Sequence, residues 1–84
     1  MPYVVVRGTL GMSNTRIYGL NETEVDKISE TLRVAEVKDA LTVYNAPMFA
    51  VNQIEYHLGY VVMAAASQER YTIWTMHKPL PMPR

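Results

Sequence analysis

The stretch from Tyr60 to His77 most constrains what this chain can fold into. Tyr60-Val61-Val62-Met63-Ala64-Ala65-Ala66 and Tyr71-Thr72-Ile73-Trp74-Thr75-Met76-His77 flank a polar break, Ser67-Gln68-Glu69-Arg70. That pattern predicts two strands joined by a tight connection. Successive side chains on a strand point to opposite faces, so a half-solvated strand would alternate apolar with polar. Neither arm does. Tyr60, Val62 and Ala64 share one face with Val61, Met63 and Ala65 opposite, and Tyr71 and Ile73 oppose Trp74 and Met76. Strands apolar on both sides are normally covered on both sides, so the chain must shield two faces or borrow cover from a partner.

The supply of cover is small. At 84 residues the chain makes one domain, and a domain of this size buries only about 60 to 65% of the surface its unfolded form exposes. Hydrophobic residues make up 49% and charged residues 19%, too apolar for a disordered chain and a balance that leans toward association. Without cysteine, disulfides and thiolate metal sites are excluded, which favours a reducing, cytoplasmic setting. The longest uncharged apolar run, Leu58 to Ser67, falls far short of the roughly 20 residues that span a bilayer. No membrane association is expected.

The elements read as follows. Tyr3 to Leu10 is a β-branched strand, Gly11-Met12-Ser13-Asn14 supplies turn chemistry, and Thr15 to Leu20 returns as a second strand. Asn21 is a preferred N-cap with Glu24 three residues on, as in a capping box. Leu20 and Val25 occupy the positions of a hydrophobic staple, and Val25, Ile28 and Leu32 mark one face at helical spacing. The helix is expected to end near Val34 or Ala35. Residues 36–46 are indefinite, with Leu41 to Tyr44 favouring extended structure. Met48 to Leu58 reads as strand, since valine, isoleucine, tyrosine and asparagine are mediocre helix formers; a helix starting at Pro47 is the alternative.

The expected fold is thus α+β, an antiparallel sheet of an N-terminal hairpin and C-terminal strands packed on one main helix at about 22–34. A second helix at about 47–66 is the alternative architecture. Residues 1–78 are expected to form one compact domain and residues 79–84 a proline-rich extended tail.

Chemistry is scarce. Glu55 and His57 would share a face of a strand, where a carboxylate could orient an imidazole for proton transfer; they are the weak catalytic candidates. No spacing suggests a metal or cofactor: the chain has two histidines, His57 and His77, and no His-x-x-x-His pair or acidic loop. Catalysis is therefore not the leading expectation.

The charge is zero overall but uneven. Six acids face three bases between Glu22 and Asp39, while Arg7, Arg16, Arg70, Lys78 and Arg84 outweigh Glu55 and Glu69 elsewhere. Arg7, Arg16, Tyr18 and Arg70 are candidates for an anion- or ligand-binding surface. Nucleic acid is disfavoured, because polyanion binding needs a concentrated basic surface. Six tyrosines, with Trp74 and Phe49, are residue types enriched at protein interfaces.

The leading expectation is a small interaction module that self-associates, first of all as a dimer, and docks on a larger protein as an inhibitor or adaptor. Tyr71, Trp74, Met76 and Met63 are the expected anchors. A small-ligand, nucleotide or single-stranded nucleic-acid binder is the rival from another class, and an oligomeric enzyme around Glu55 and His57 the third.

Overall fold

A computed structural model describes residues 3–79. The elements in chain order are β1 (Tyr3–Gly8), β2 (Thr15–Tyr18), α1 (Glu22–Ile28), β3 (Val34–Val37), β4 (Leu41–Val43), α2 (Pro47–Leu58), β5 (Val61–Ser67) and β6 (Thr72–His77). The strands form one antiparallel sheet in the order β3-β4-β2-β1-β6-β5. The fold is α+β. The first and last strands meet at its centre, where β1 pairs with β2 on one side and β6 on the other. The expected tail falls, from residue 80 onward, outside the described residues.

Both helices lie on one face. Val4 and Val6 of β1, Ile17 of β2, Leu41 and Val43 of β4, and Trp74 and Met76 of β6 point to that face. They form one buried cluster with Ile28 of α1 and Ala50, Val51, Ile54 and Leu58 of α2. The alternate residues Tyr3, Val5, Arg7, Arg16, Tyr18, Ile73, Thr75 and His77 point the other way, and none of them is buried. The second helix thus thickens cover that α1 already provides and leaves the opposite face open.

α1 begins as its sequence predicts. The Glu24 N–H donates to Asn21 Oδ1 at 2.8 Å and the Asn21 N–H donates to Glu24 Oε1 at 3.1 Å, which completes the capping box. Leu20 and Val25 pack against the core as a staple would. The helix is shorter than expected, ending at Ile28 instead of near Val34. The Leu32 N–H still donates to the Ile28 carbonyl at 3.0 Å, so the Val25-Ile28-Leu32 stripe reaches the core in a final turn. Beyond it, Val34 and Val37 find ladder partners in Val43 and Leu41, and pairing wins over helical continuation.

The strand reading of Met48 to Leu58 is overturned: Pro47–Leu58 is helix. Pro47 sits in the first turn, where its missing N–H costs nothing and its fixed φ is already helical. Gly59 closes the other end in the left-handed region at φ 78°, its N–H donating to the Glu55 carbonyl. Burying Ala50, Val51, Ile54 and Leu58 on one stripe outweighs the modest intrinsic preferences of valine and isoleucine.

The two edges of the sheet differ. β3 is four residues long, carries Glu36, has a register shift between Val34 and Glu36, and runs into Lys38 and Asp39. Short length, charge and a bulge are the devices that keep an edge from pairing with another chain. β5 is seven residues of Val-Val-Met-Ala-Ala-Ala-Ser with no charge and no proline, and every one is exposed. Its one irregularity is a register shift between Val62 and Ala64.

Candidate functional site

Two surface features meet at one end of the sheet. The first is a cleft of about 810 Å³ between the β1–β2 connection and the β5–β6 connection. Arg7 enters it from the end of β1, Arg16 from β2 and Arg70 from the turn before β6. Arg7 and Arg16 are direct partners across the antiparallel pair, so the ladder itself sets two guanidinium-bearing side chains side by side. Like charges directly opposite on a sheet are destabilising. The guanidinium carbon of Arg7 lies 4.1 Å from the centre of the Tyr71 ring, within the range of a cation–π contact.

The connections that frame the cleft are tied together. Thr9 Oγ1 donates to the Arg70 carbonyl at 2.5 Å. The Met12 N–H donates to the Thr9 carbonyl, and the Gln68 N–H to the Tyr71 carbonyl. Asn14 adds an amide to the wall, and Glu69 is its carboxylate. Three arginines against one glutamate leave the cleft strongly positive although the chain is neutral. Of the four residues the sequence offers as one candidate surface, Arg7, Arg16 and Arg70 line this cleft. Tyr18 does not line the cleft; it is paired with Val5 further along the ladder. Thr9 and Asn14 went unremarked as site residues, although the turn chemistry of residues 11–14 was the available signal.

The second feature is the bare β5 edge. Val61, Val62 and Met63 are 46%, 39% and 57% exposed. Of the expected anchors, Met63 is therefore available and Tyr71 is half-buried beneath Arg7. Trp74 and Met76 are not available. They are 7% and 0% exposed because they face the two helices, and they fill the subunit's own core.

Glu55 and His57 also lose their premise. On a helix, residues two apart do not face each other, so the Glu55 carboxylate cannot orient the His57 imidazole as it would on a strand. His57 stacks instead edge-on against Tyr56, with ring centres 4.8 Å apart.

Tyr60 joins the helices to the sheet. Its part-buried hydroxyl donates to Glu24 Oε2 at 2.9 Å, while the other oxygen of that carboxylate serves the capping box. Burial, with the Glu24 hydrogen bond and charge added, pushes the phenol up to about 12.

No protein-family model matches the chain, and no curated protein matches it. Among the described residues no helix is long and apolar enough to cross a membrane.

Proposed function

We propose that this protein is a small interaction module that pairs with a second copy of itself through the β5 edge. In this reading it docks on a larger protein through the open sheet face, as an inhibitor or adaptor that acts by occupancy. The supporting observation is the unequal treatment of the two edges: both carry a register shift, but β3 is short and charged, whereas β5 is long, uncharged and exposed throughout. Antiparallel pairing of β5 with its own copy sets no charge against another, since the strand has none. Main-chain hydrogen bonds provide the attraction, as in other cases of strand addition. Val61, Val62 and Met63 add apolar contact.

Light scattering across a concentration series tests the reading. The expected mass is twice 9.6 kDa, and Ala64→Lys, which puts a charge on the edge, returns the protein to one subunit without loss of its circular dichroism. A single-subunit mass for the wild type up to millimolar concentration would overturn self-association.

A further inference from the structure

The cleft framed by Arg7, Arg16 and Arg70 has chemistry that an interaction strand does not use. We infer that it is a binding site for a phosphate-bearing small ligand carrying a diphosphate, free or attached to a nucleoside.

Three guanidinium groups arrive from three separate segments. A carboxylate has two oxygens, which one arginine satisfies with a two-pronged contact. A diphosphate offers more terminal oxygens and more charge, and it gives every guanidinium a partner. Arginine's planar fork suits phosphate geometry. The cation–π contact with the Tyr71 ring steadies the Arg7 guanidinium at the cleft. The Thr9–Arg70 hydrogen bond fixes one connection against the other, so the cleft is formed before the ligand arrives. Its volume, about 810 Å³, lies within the roughly 300 to 1,000 Å³ usual for small-molecule sites.

The Arg7–Arg16 pairing gives an independent line of support. Two positive side chains set directly across a ladder cost stability, and an anion between them converts repulsion into attraction. The free protein should therefore be less stable than a variant lacking one of the charges. Glu69, the carboxylate on the wall, opposes the same anion.

Calorimetric titration of the full chain with pyrophosphate, with a nucleoside diphosphate and with the bare nucleoside tests this. Saturable binding is expected for both diphosphates and none for the nucleoside. Arg16→Gln and Arg70→Gln should each weaken pyrophosphate about tenfold or more, as loss of a charge-assisted hydrogen bond does. Glu69→Gln should tighten it. The free Arg16→Gln protein should melt higher than the free wild type, whereas a given concentration of pyrophosphate should raise the wild-type midpoint more than the variant's. The Ala64→Lys variant should bind pyrophosphate normally, since the cleft lies within one subunit; this separates the ligand site from self-association. Absence of saturable pyrophosphate binding, or equal binding by the arginine variants, would overturn the inference. So would retention of long nucleic acid without any response to the two diphosphates.

Discussion

Tyr60 shows how much one side chain decides. It is 1% exposed, it follows the glycine that ends α2, and its hydroxyl reaches back to the carboxylate that caps α1. A single phenol thus fixes the start of one helix relative to the end of the other. Tyr60→Phe removes that hydrogen bond and should lower stability by about 1 kcal/mol, read as a shift in the urea midpoint at constant slope. The same residue gives a pH dependence. An unfolded chain ionises its tyrosine near 10, whereas the folded protein holds the proton up to about 12. The folded state therefore keeps the whole of this stabilisation below pH 10 and loses it as pH rises through about 12. The difference in urea midpoint between wild type and Tyr60→Phe should shrink across that interval. A constant difference from pH 9 to pH 12 would show that the phenol's ionisation is not linked to folding.

At the scale of elements, α2 is defined by what bounds it and by where it rests. Gly59 holds φ 78°, a region that costs a residue with a Cβ about 1 kcal/mol or more, so Gly59→Ala should destabilise by that amount. Gly8 acts at the opposite end. A Cβ there would lie 2.5 Å from Pro47 Cγ and 3.2 Å from Thr15 Oγ1, because the first turn of α2 sits directly on the end of β1. Gly8→Ala should cost about 1 to 3 kcal/mol, as overpacking does. Thermal unfolding of both variants checks these values. The same end is braced by Asn45, whose carbonyl accepts from the buried Thr15 hydroxyl at 2.7 Å and whose side chain accepts from the Arg33 N–H.

Legibility also varied by element. The start of α1 could be read because capping is local: Asn21, Glu24, Leu20 and Val25 lie within six residues. The two C-terminal strands and the N-terminal hairpin could be read for a similar reason, from β-branched runs broken by turn residues. Residues 48–58 could not, since a short apolar run has no decisive period. The proline at its start and the glycine at its end were the better evidence. β3 was missed because its pairing partners, Leu41 to Val43, come after a connection whose local preferences point nowhere.

For the whole molecule, the question is what covers the sheet. Two helices on one side leave the Tyr3, Val5, Tyr18 and Ile73 side open and the β5 edge bare. If β5 pairs with a second copy, unfolding is linked to dissociation, and the melting temperature should rise with protein concentration. In Ala64→Lys it should not. A concentration-independent midpoint in the wild type, measured over two decades of concentration, would argue against the paired state. The arginine cleft belongs to this scale too, since its members are distant in sequence, with Arg70 far from Arg7 and Arg16, and only the β1–β6 pairing brings them together.

The amino-acid order by itself determined the α+β class, the cap of α1 and the strands β1, β2, β5 and β6. All of these follow from interactions between near neighbours or from composition. Tertiary structure alone decided that residues 47–58 are helical, that Trp74 and Met76 are core while the β5 strand stays open, and that three separate arginines face one cleft. Those outcomes depend on which strand lies beside which. Strand order is set by burying the most apolar surface over the entire chain, a sum that no local window contains.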